Sequence, residues 1–214
     1  MLLYFISGLG ADQQAFQKIK WPAHVKPIYL PWLEPLKNES LNTYALRMIA
    51  EHSLQEPFIL CGLSFGGIIC QEIHKQYPAT KIIIISSLHK SNQLSPFLRV
   101  AGFLHLHKLN LIYLLSHLPW LTNWAFGAHQ SKLKSYLQQQ IKKTTDNYLS
   151  WSLNAILHWK QKEKIPVLKH IHGNNDKLFP PKYIQPDYLL KHGSHFMILT
   201  HADKISDILE KELA

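Results

Sequence analysis

The sequence is poor in cysteine and glycine, and it has few acidic residues. Two cysteines in 214 residues exclude a disulfide-rich scaffold and a four-cysteine zinc module. Nine glycines and twelve prolines exclude a collagen-like or low-complexity chain. There is no uninterrupted apolar run of about 18 residues, so we expect no transmembrane helix. With 46% hydrophobic and 17% charged residues, the composition is that of one folded domain, with or without an insertion.

The N-terminus and the two thiols bear on the location of the protein. An apolar run from Met1 to Ile6 turns at Gly8 and lacks the basic residues that open a signal peptide. We therefore expect a buried strand at this position and a cytoplasmic protein. We also expect Cys61 and Cys70 to be free, buried thiols.

The excess of positive charge is concentrated in one part of the chain. The sequence has 23 Lys and Arg residues against 14 Asp and Glu residues, a formal net charge of +9. Ten of these bases and two of these acids lie between residues 90 and 164, termed here the basic segment. This concentration is compatible with an anionic or amphiphilic substrate, or with a peripheral contact at an anionic membrane. The alternative is a set of solvated lysines over an apolar interior.

Apolar runs outside the basic segment predict strands that alternate with helices. The predicted strands are residues 2–7, 25–31, 57–63, 81–87, 167–172 and 188–191. The predicted helices are residues 13–19, 41–54, 65–77 and 202–213. This alternation predicts an α/β fold with a mostly parallel sheet flanked by helices.

The basic segment interrupts this alternation. It carries helical patterns over residues 94–106, 109–118, 132–142 and 146–159. We therefore predict an α/β core made of residues 1–89 and 165–214, with residues 90–164 inserted as a helical cap. Most of the cap's aromatic residues are expected in its interior, and one or two are expected to line a pocket. These residues are Trp120, Trp124, Phe126, Trp151 and Trp159.

A Gly-x-Ser-x-Gly pattern lies between a predicted strand and a predicted helix. It runs from Gly62 through Ser64 to Gly66. This context is that of a nucleophile elbow, in which glycines permit a tight turn and the serine is exposed at the end of the strand. Negative charge on the serine would lie over the N-terminus of the following helix. The alternative is an ordinary turn with a capping serine.

A serine nucleophile needs a base, and the base needs an acid that orients it. On such a sheet the expected order along the chain is serine, acid, histidine. Asp176 is the first acidic residue after the strand at 167–172, and His195 follows the last predicted strand. Both therefore come to the same sheet edge as Ser64.

Two residues compete for these roles. His192 is the nearest alternative base, but it precedes the turn at Gly193. Asp203 is the alternative acid, but it lies after His195 and so is out of order. The loop after the strand at 81–87 offers no acid.

A tetrahedral oxyanion needs two hydrogen-bond donors. The Phe65 N–H is one candidate, and the Leu9 N–H is the other, because Gly8 and Gly10 permit the loop to turn toward the serine. This loop lacks the glycine and lysine patterns of dinucleotide and phosphate-binding loops. Asp12 is expected to cap the helix that follows.

Together these motifs resemble those of small serine hydrolases of the α/β-hydrolase family. The matching stretches are Ser7 to Gly10, Gly62 to Gly67, His172 to Asp176 with Pro180, and Gly193 to Met197. The resemblance spans the chain, with residues 90–164 in the place of the variable cap. It implies a Ser64–Asp176–His195 triad, an oxyanion hole formed by the Leu9 and Phe65 N–H groups, and cleavage of an ester or thioester. No cofactor and no metal are implied.

The sequence departs from the family pattern at two places. The usual His-Gly opening of the first loop is Ser7-Gly8, and the chain starts at the strand that is normally third. A non-hydrolytic ligand receptor or a lyase on the same fold is the alternative function. We expect no nucleic-acid partner, because the aromatic residues follow apolar helical patterns rather than alternating with exposed bases.

Two His-x-His pairs could each place two imidazoles on one face of an element. They are His105 with His107, and His170 with His172. Neither pair has an evident third metal ligand, so we expect surface histidines.

Overall fold

The apolar runs form the strands of one sheet. The computed structural model describes residues 1–103 and 118–214. The strands are β1 (Leu2–Ile6), β2 (Lys26–Tyr29), β3 (Phe58–Leu63), β4 (Lys81–Ile85), β5 (Leu168–Gly173) and β6 (Tyr188–Leu190). Their order is β2-β1-β3-β4-β5-β6, and each neighbouring pair is parallel. The predicted parallel α/β sheet is therefore confirmed, and its strands lie within two residues of their predicted bounds.

Helices connect and cover these strands. They are α1 (Leu41–His52), α2 (Phe65–Gln76), α3 (Pro96–Phe103), α4 (Pro119–Phe126), α5 (Ser131–Lys143), α6 (Asp146–His158), α7 (Met197–Thr200) and α8 (Ala202–Leu213). Short 3-10 turns occur at Gln13–Phe16, Ser91–Gln93 and Pro181–Tyr183.

The helix predicted over residues 13–19 is a short 3-10 turn. The turn covers Gln13–Phe16 and closes with a bond from the Gln17 N–H to the Gln14 carbonyl, three residues back rather than the four of an α-helix. The Asp12 carboxylate caps the turn by accepting from the Gln14 N–H at 3.0 Å. The predicted capping role of Asp12 is confirmed.

Alternate side chains of the strands belong to two apolar layers, one on each face of the sheet. Tyr4 and Ile6 of β1 pack in the layer that contains α1 and α2. Leu3 and Phe5 pack in the opposite layer, which contains α8. Strands that are covered on both faces read as continuous apolar runs, which is why the sequence reveals them.

Helices α3 to α6 belong to the basic segment and lie between β4 and β5 in the chain. Ile156 of α6 is buried in the same layer as α1 and α2, and Leu133 and Leu137 of α5 are buried in the opposite layer. The segment thus adds to both layers of the core. Apart from Leu118, the helix expected over residues 109–118 lies outside the described residues. The pair His105 and His107 also lies outside them.

Two tryptophans of the basic segment differ from the expectation that they are interior. Trp120 and Trp124 are 67% and 54% exposed. In helix α4 Thr122 is buried while these two rings are exposed, so the packed face of the helix is not the one that carries them. Trp124 instead lies beneath the Lys177 ammonium group, with Nζ 4.2 Å from the ring centroid. Trp159 is buried, as expected.

Across residues 1–103 and 118–214, no helix combines the length and the apolar character needed to cross a bilayer.

Candidate active site

The turn between β3 and α2 places Ser64 at the carboxyl end of the central strands. Ser64 has φ of 52° and ψ of −118°, a backbone conformation that favours glycine. A β-carbon at Gly62 would lie 2.5 Å from the Gly66 backbone. One at Gly66 would collide with the carbonyl oxygens of Ile6 and Ser7. Both glycines are therefore required by the tight turn that presents the serine.

His195 lies between Ser64 and Asp176. Its Nε2 is 2.9 Å from Ser64 Oγ, and its Nδ1 is 2.8 Å from Asp176 Oδ2. The His195 and Asp176 residues are 4% and 3% exposed. The structure thus brings together three residues that follow three different strands of the sheet. This is the linear arrangement in which a histidine can accept the serine proton while a carboxylate fixes its tautomer.

Asp176 is held on its other side by the backbone. Its Oδ1 accepts hydrogen bonds from the Leu178 and Phe179 N–H groups, each at 2.9 Å. Burial raises the pKa of this carboxyl, but the interaction with His195, with smaller contributions from His172 and the Phe179 N–H, outweighs burial and leaves the pKa below its ordinary value. The carboxylate is thus ionised at neutral pH.

The two competing residues lie elsewhere. Asp203 pairs with Lys20 at 3.0 Å on the surface, where its side chain is 84% exposed. His192 is exposed, and its N–H donates to Asn174 Oδ1 at 2.7 Å. Asp176 and His195 are the acid and the histidine that the fold joins to Ser64.

The loop after β1 packs against the serine. A β-carbon at Gly8 would lie 3.3 Å from Ser64 Cβ. The Gly8 carbonyl accepts from the Ala11 N–H at 2.9 Å and from Trp32 Nε1 at 3.1 Å. This close approach puts the loop that contains Leu9 beside Ser64.

Phe65 is the first residue of α2. Its N–H therefore has no acceptor inside the helix and belongs to the positive end of the helix dipole. The roles of the Leu9 and Phe65 N–H groups as oxyanion donors stay a prediction.

A small cavity of about 50 Å³ opens beside the Leu9 loop. Its wall includes Leu9 and Gly10 on one side and Phe126, Leu137 and Leu149 of the basic segment on the other. The Phe126 ring also contacts His195, with centroids 5.4 Å apart. Of the aromatic residues named from the sequence, Phe126 is the one placed between this cavity and His195.

Helix α5 of the basic segment has four lysines at the surface. Lys132, Lys134, Lys142 and Lys143 are exposed. Lys143 lies close to the first loop, since its Nζ is 3.8 Å from Asp12 Oδ2.

The expectation of surface histidines at positions 170 and 172 is wrong. Both side chains lie on β5 and are fully buried, and they bond to each other through His170 Nε2 and His172 Nδ1 at 3.1 Å. The alternation of the two residues correctly placed them on one face, but it could not show that this face is covered.

Over the described part of the chain, no group of three or more His, Cys, Asp or Glu residues is arranged to hold a metal.

Cys61 and Cys70 are free and buried, as predicted. Burial raises the pKa of Cys61 to about 12 and raises that of Cys70 well above its ordinary value, so both thiols are protonated and unreactive at neutral pH.

At the sequence level, no family model and no curated protein matches the chain. Its fold is similar to that of several solved structures. A bromoperoxidase from Bacillus anthracis has a TM-score of 0.73 and 15% identity, covering 99% of this chain and 91% of its own. An esterase from Exiguobacterium antarcticum gives the same TM-score, identity and coverage. A hydrolase from Oleispira antarctica has a TM-score of 0.72 and 16% identity, covering 97% of this chain and 89% of its own.

At these identities the comparison concerns the arrangement of the elements and not the chemistry. The similarity extends over nearly the whole length of both chains in each pair. Together with the parallel sheet and the serine turn after β3, it shows that this chain has the α/β-hydrolase fold.

Proposed function

We propose that this protein is a serine hydrolase that cleaves a carboxylic ester or thioester through an acyl-serine intermediate. One observation carries the proposal. Ser64 Oγ, the two ring nitrogens of His195 and Asp176 Oδ2 form an unbroken line of hydrogen bonds of 2.9 and 2.8 Å. The three residues follow three different strands and are far apart in the sequence, so their convergence is a result of the fold.

In the first half of the reaction, His195 Nε2 takes the proton of Ser64 as Oγ attacks the substrate carbonyl carbon. The carbonyl oxygen becomes an oxyanion, and the Leu9 and Phe65 N–H groups donate to it. The proton on His195 then passes to the leaving alcohol or thiol as the bond to that group breaks. The acyl group stays on Ser64 Oγ.

In the second half, His195 takes a proton from water, and the resulting hydroxide attacks the acyl carbon. The proton returns to Ser64 Oγ as the acid is released. Asp176 stays ionised throughout and holds the Nδ1–H tautomer of His195. These steps balance without a cofactor or a metal.

The walls of the cavity beside Leu9 are largely apolar, and Phe126, which lines it, also contacts His195. These features support an acyl group as the part of the substrate that is bound there. The exposed lysines of the basic segment are consistent with an anionic or amphiphilic substrate and with a peripheral contact at an anionic membrane. These substrate features, the cytoplasmic location, the cap role of residues 90–164 and the absence of a nucleic-acid partner stay predictions.

The test is a panel of p-nitrophenyl esters and acyl thioesters of graded chain length, assayed with wild type and Ser64→Ala. We expect turnover by wild type and a loss of kcat on the order of 10⁴-fold to 10⁶-fold in the variant, because loss of a triad member has effects of this size. Ser206→Ala, a matched change in α8, should leave turnover intact. A Ser64→Ala variant that keeps more than a tenth of the activity would show that Ser64 is not the nucleophile.

A fluorophosphonate probe separates hydrolysis from the alternative function. A hydrolase should be labelled at Ser64 and should also turn over a member of the panel. Labelling at Ser64 without any turnover would favour a ligand receptor or a lyase on the same fold.

A further inference from the structure

Three histidines behind Asp176 form a continuous hydrogen-bonded chain. His89 Nδ1 lies 3.0 Å from His170 Nδ1, and His170 Nε2 lies 3.1 Å from His172 Nδ1. His172 Nε2 then lies 2.9 Å from the Phe179 carbonyl oxygen. The three histidines are 3%, 0% and 0% exposed, so the chain runs through the protein interior.

The Phe179 carbonyl at one end of this histidine chain fixes the direction of its hydrogen bonds, and Gln93 lies at the other end. At the end near His89, Gln93 Oε1 accepts from the backbone N–H groups of His89 and Lys90 at 2.9 and 3.1 Å. The amide orientation is thereby set, and Gln93 Nε2 lies 2.9 Å from His89 Nε2 and 3.4 Å from His89 Nδ1. At the other end, the Phe179 carbonyl can only accept.

Each imidazole must therefore accept at one nitrogen and donate from the other. His89 carries its proton on Nδ1, whereas His170 and His172 carry theirs on Nε2. All three rings are neutral in this arrangement. A second proton on His170 would place N–H against N–H and break a link of the chain.

The pKa values agree with neutral rings. Burial lowers the pKa of His89 to about 4 and lowers the pKa of His170 well below its ordinary value. Burial also lowers the pKa of His172, although Asp176 partly opposes the shift.

Charged and titratable groups face the chain from both ends. Lys90 and Lys164 disfavour a proton on His89, and Asp187 favours one. Asp176 favours a proton on His172, and His195 disfavours one. For His89 and His172 alike, burial is the larger influence and keeps the ring neutral.

The chain ends on the residue that also holds Asp176. The Phe179 carbonyl accepts from His172, while the Phe179 N–H donates to Asp176 Oδ1 at 2.9 Å. His172 Nε2 lies 3.7 Å from Asp176 Oδ2, so it does not replace His195 as the close partner of that oxygen.

We propose that His172, held in turn by His170, His89 and Gln93, is a positioning residue that fixes the Phe179 backbone and thereby aims the Asp176 carboxylate at His195. The inference rests on the proposed function, since it concerns the alignment of that triad. The chain links the loop after β4, which supplies no acid, to the acid that follows β5.

The first experiment compares His172→Leu with His172→Gln. Leucine removes both hydrogen bonds of the ring, whereas the glutamine amide nitrogen can donate to the Phe179 carbonyl from nearly the position of Nε2. We expect His172→Leu to lower kcat on the order of 100-fold, to change KM little and to shift the acid limb of the kcat/KM pH profile. His172→Gln should recover most of kcat. His74→Leu, at a partly buried histidine that bonds the Ala79 N–H, is the matched control.

Wild-type kcat and an unchanged pH profile in His172→Leu would overturn the inference. Equal damage in the leucine and glutamine variants would also overturn it, because the lost hydrogen bond would then not be the cause.

The second experiment needs no variant and no substrate. Nitrogen-15 NMR of histidine-labelled wild type, with His89, His170 and His172 assigned among the fourteen histidines, should show these three imidazoles neutral at neutral pH, His89 protonated at Nδ1 and the other two at Nε2. A doubly protonated ring among these three, or a different set of tautomers, at neutral pH would contradict the inferred hydrogen-bonded arrangement of the three histidines. Full activity in Ser64→Ala with the expected tautomers would instead contradict the proposed function and leave the chain intact.

Discussion

Trp32 stacks flat on Phe65, with ring centroids 5.3 Å apart and an angle of 6° between the planes. The same indole donates through Nε1 to the Gly8 carbonyl at 3.1 Å and to Ser7 Oγ at 3.0 Å. One side chain therefore contacts both the ring of Phe65 and the loop that contains Leu9, the two places that would supply the oxyanion donors. We infer that Trp32 keeps the two proposed donors at a fixed separation.

Trp32→Phe should keep an aromatic ring against Phe65 and lose the bond to the Gly8 carbonyl. We expect kcat to fall about tenfold, less than the 10²-fold to 10³-fold typical of losing an oxyanion donor, because the loop is misaligned and not removed. Steady-state kinetics on a short ester measure the effect. Trp21→Phe, at a tryptophan that stacks on Phe16, is the control. Equal losses in both variants would mean that the effect is one of general packing.

Asp176→Asn should lower kcat about 10⁴-fold, because an amide cannot hold the required tautomer of His195. Asp203→Asn should be close to neutral, since Asp203 lies at the surface and pairs with Lys20. Single-turnover and steady-state rates on one activated ester distinguish the two. A mild Asp176→Asn together with a damaging Asp203→Asn would show that the acid has been assigned wrongly.

The four exposed lysines of α5 test whether the basic segment recruits substrate. We expect replacement of Lys132, Lys134, Lys142 and Lys143 by Gln to lower kcat/KM for an anionic substrate and to remove its dependence on salt. A neutral short ester should be unaffected. Unchanged kinetics on both substrates would identify a solvated surface without a recruiting role. Equal losses on both would show that these lysines maintain the structure of the segment.

The stability of the fold should decrease as the pH falls from about 6.5 toward 4. Buried imidazoles whose pKa lies below the ordinary value of 6.5 stay neutral in the folded chain, while the same groups bind protons in the unfolded chain. Stability is therefore present above the unfolded pKa and is lost as the pH falls through this window. Each such group adds about 1.4 kcal/mol per pH unit to the slope of unfolding free energy against pH.

His89→Asn isolates one of these groups. The asparagine amide can still donate toward His170, but it does not titrate. Between pH 6.5 and the folded pKa of about 4, we expect the variant to take up about one proton fewer on unfolding than wild type. The slope of unfolding free energy against pH should decrease accordingly. Urea unfolding at a series of pH values measures the slope, with His192→Asn as a surface control. An unchanged slope in His89→Asn would contradict the prediction.

The sheet and the convergence at Ser64 could be predicted because they depend on local patterns. Strands β3 and β4 are buried on both faces, so each reads as an unbroken apolar run. Parallel strands bring their carboxyl ends to one edge, which places Asp176 and His195 near Ser64 once the strand order is right.

The buried histidine chain and the exposed tryptophans could not be predicted, because they depend on packing between distant parts of the chain. His89 and His170 are separated by 81 residues, and no spacing rule links them. Trp120 and Trp124 have the same apolar pattern as Trp159, and only the packing of α4 decides which rings are exposed.

Asp12 does more than cap the turn that follows it. Its carboxylate also accepts from Gln140 Nε2 at 3.2 Å and from the Tyr136 hydroxyl at 3.4 Å, both on α5. Any outward swing of α5 must break these bonds or draw the Leu9 loop along with it. Movement of the basic segment and the geometry of the proposed oxyanion hole are thus mechanically coupled through one carboxylate.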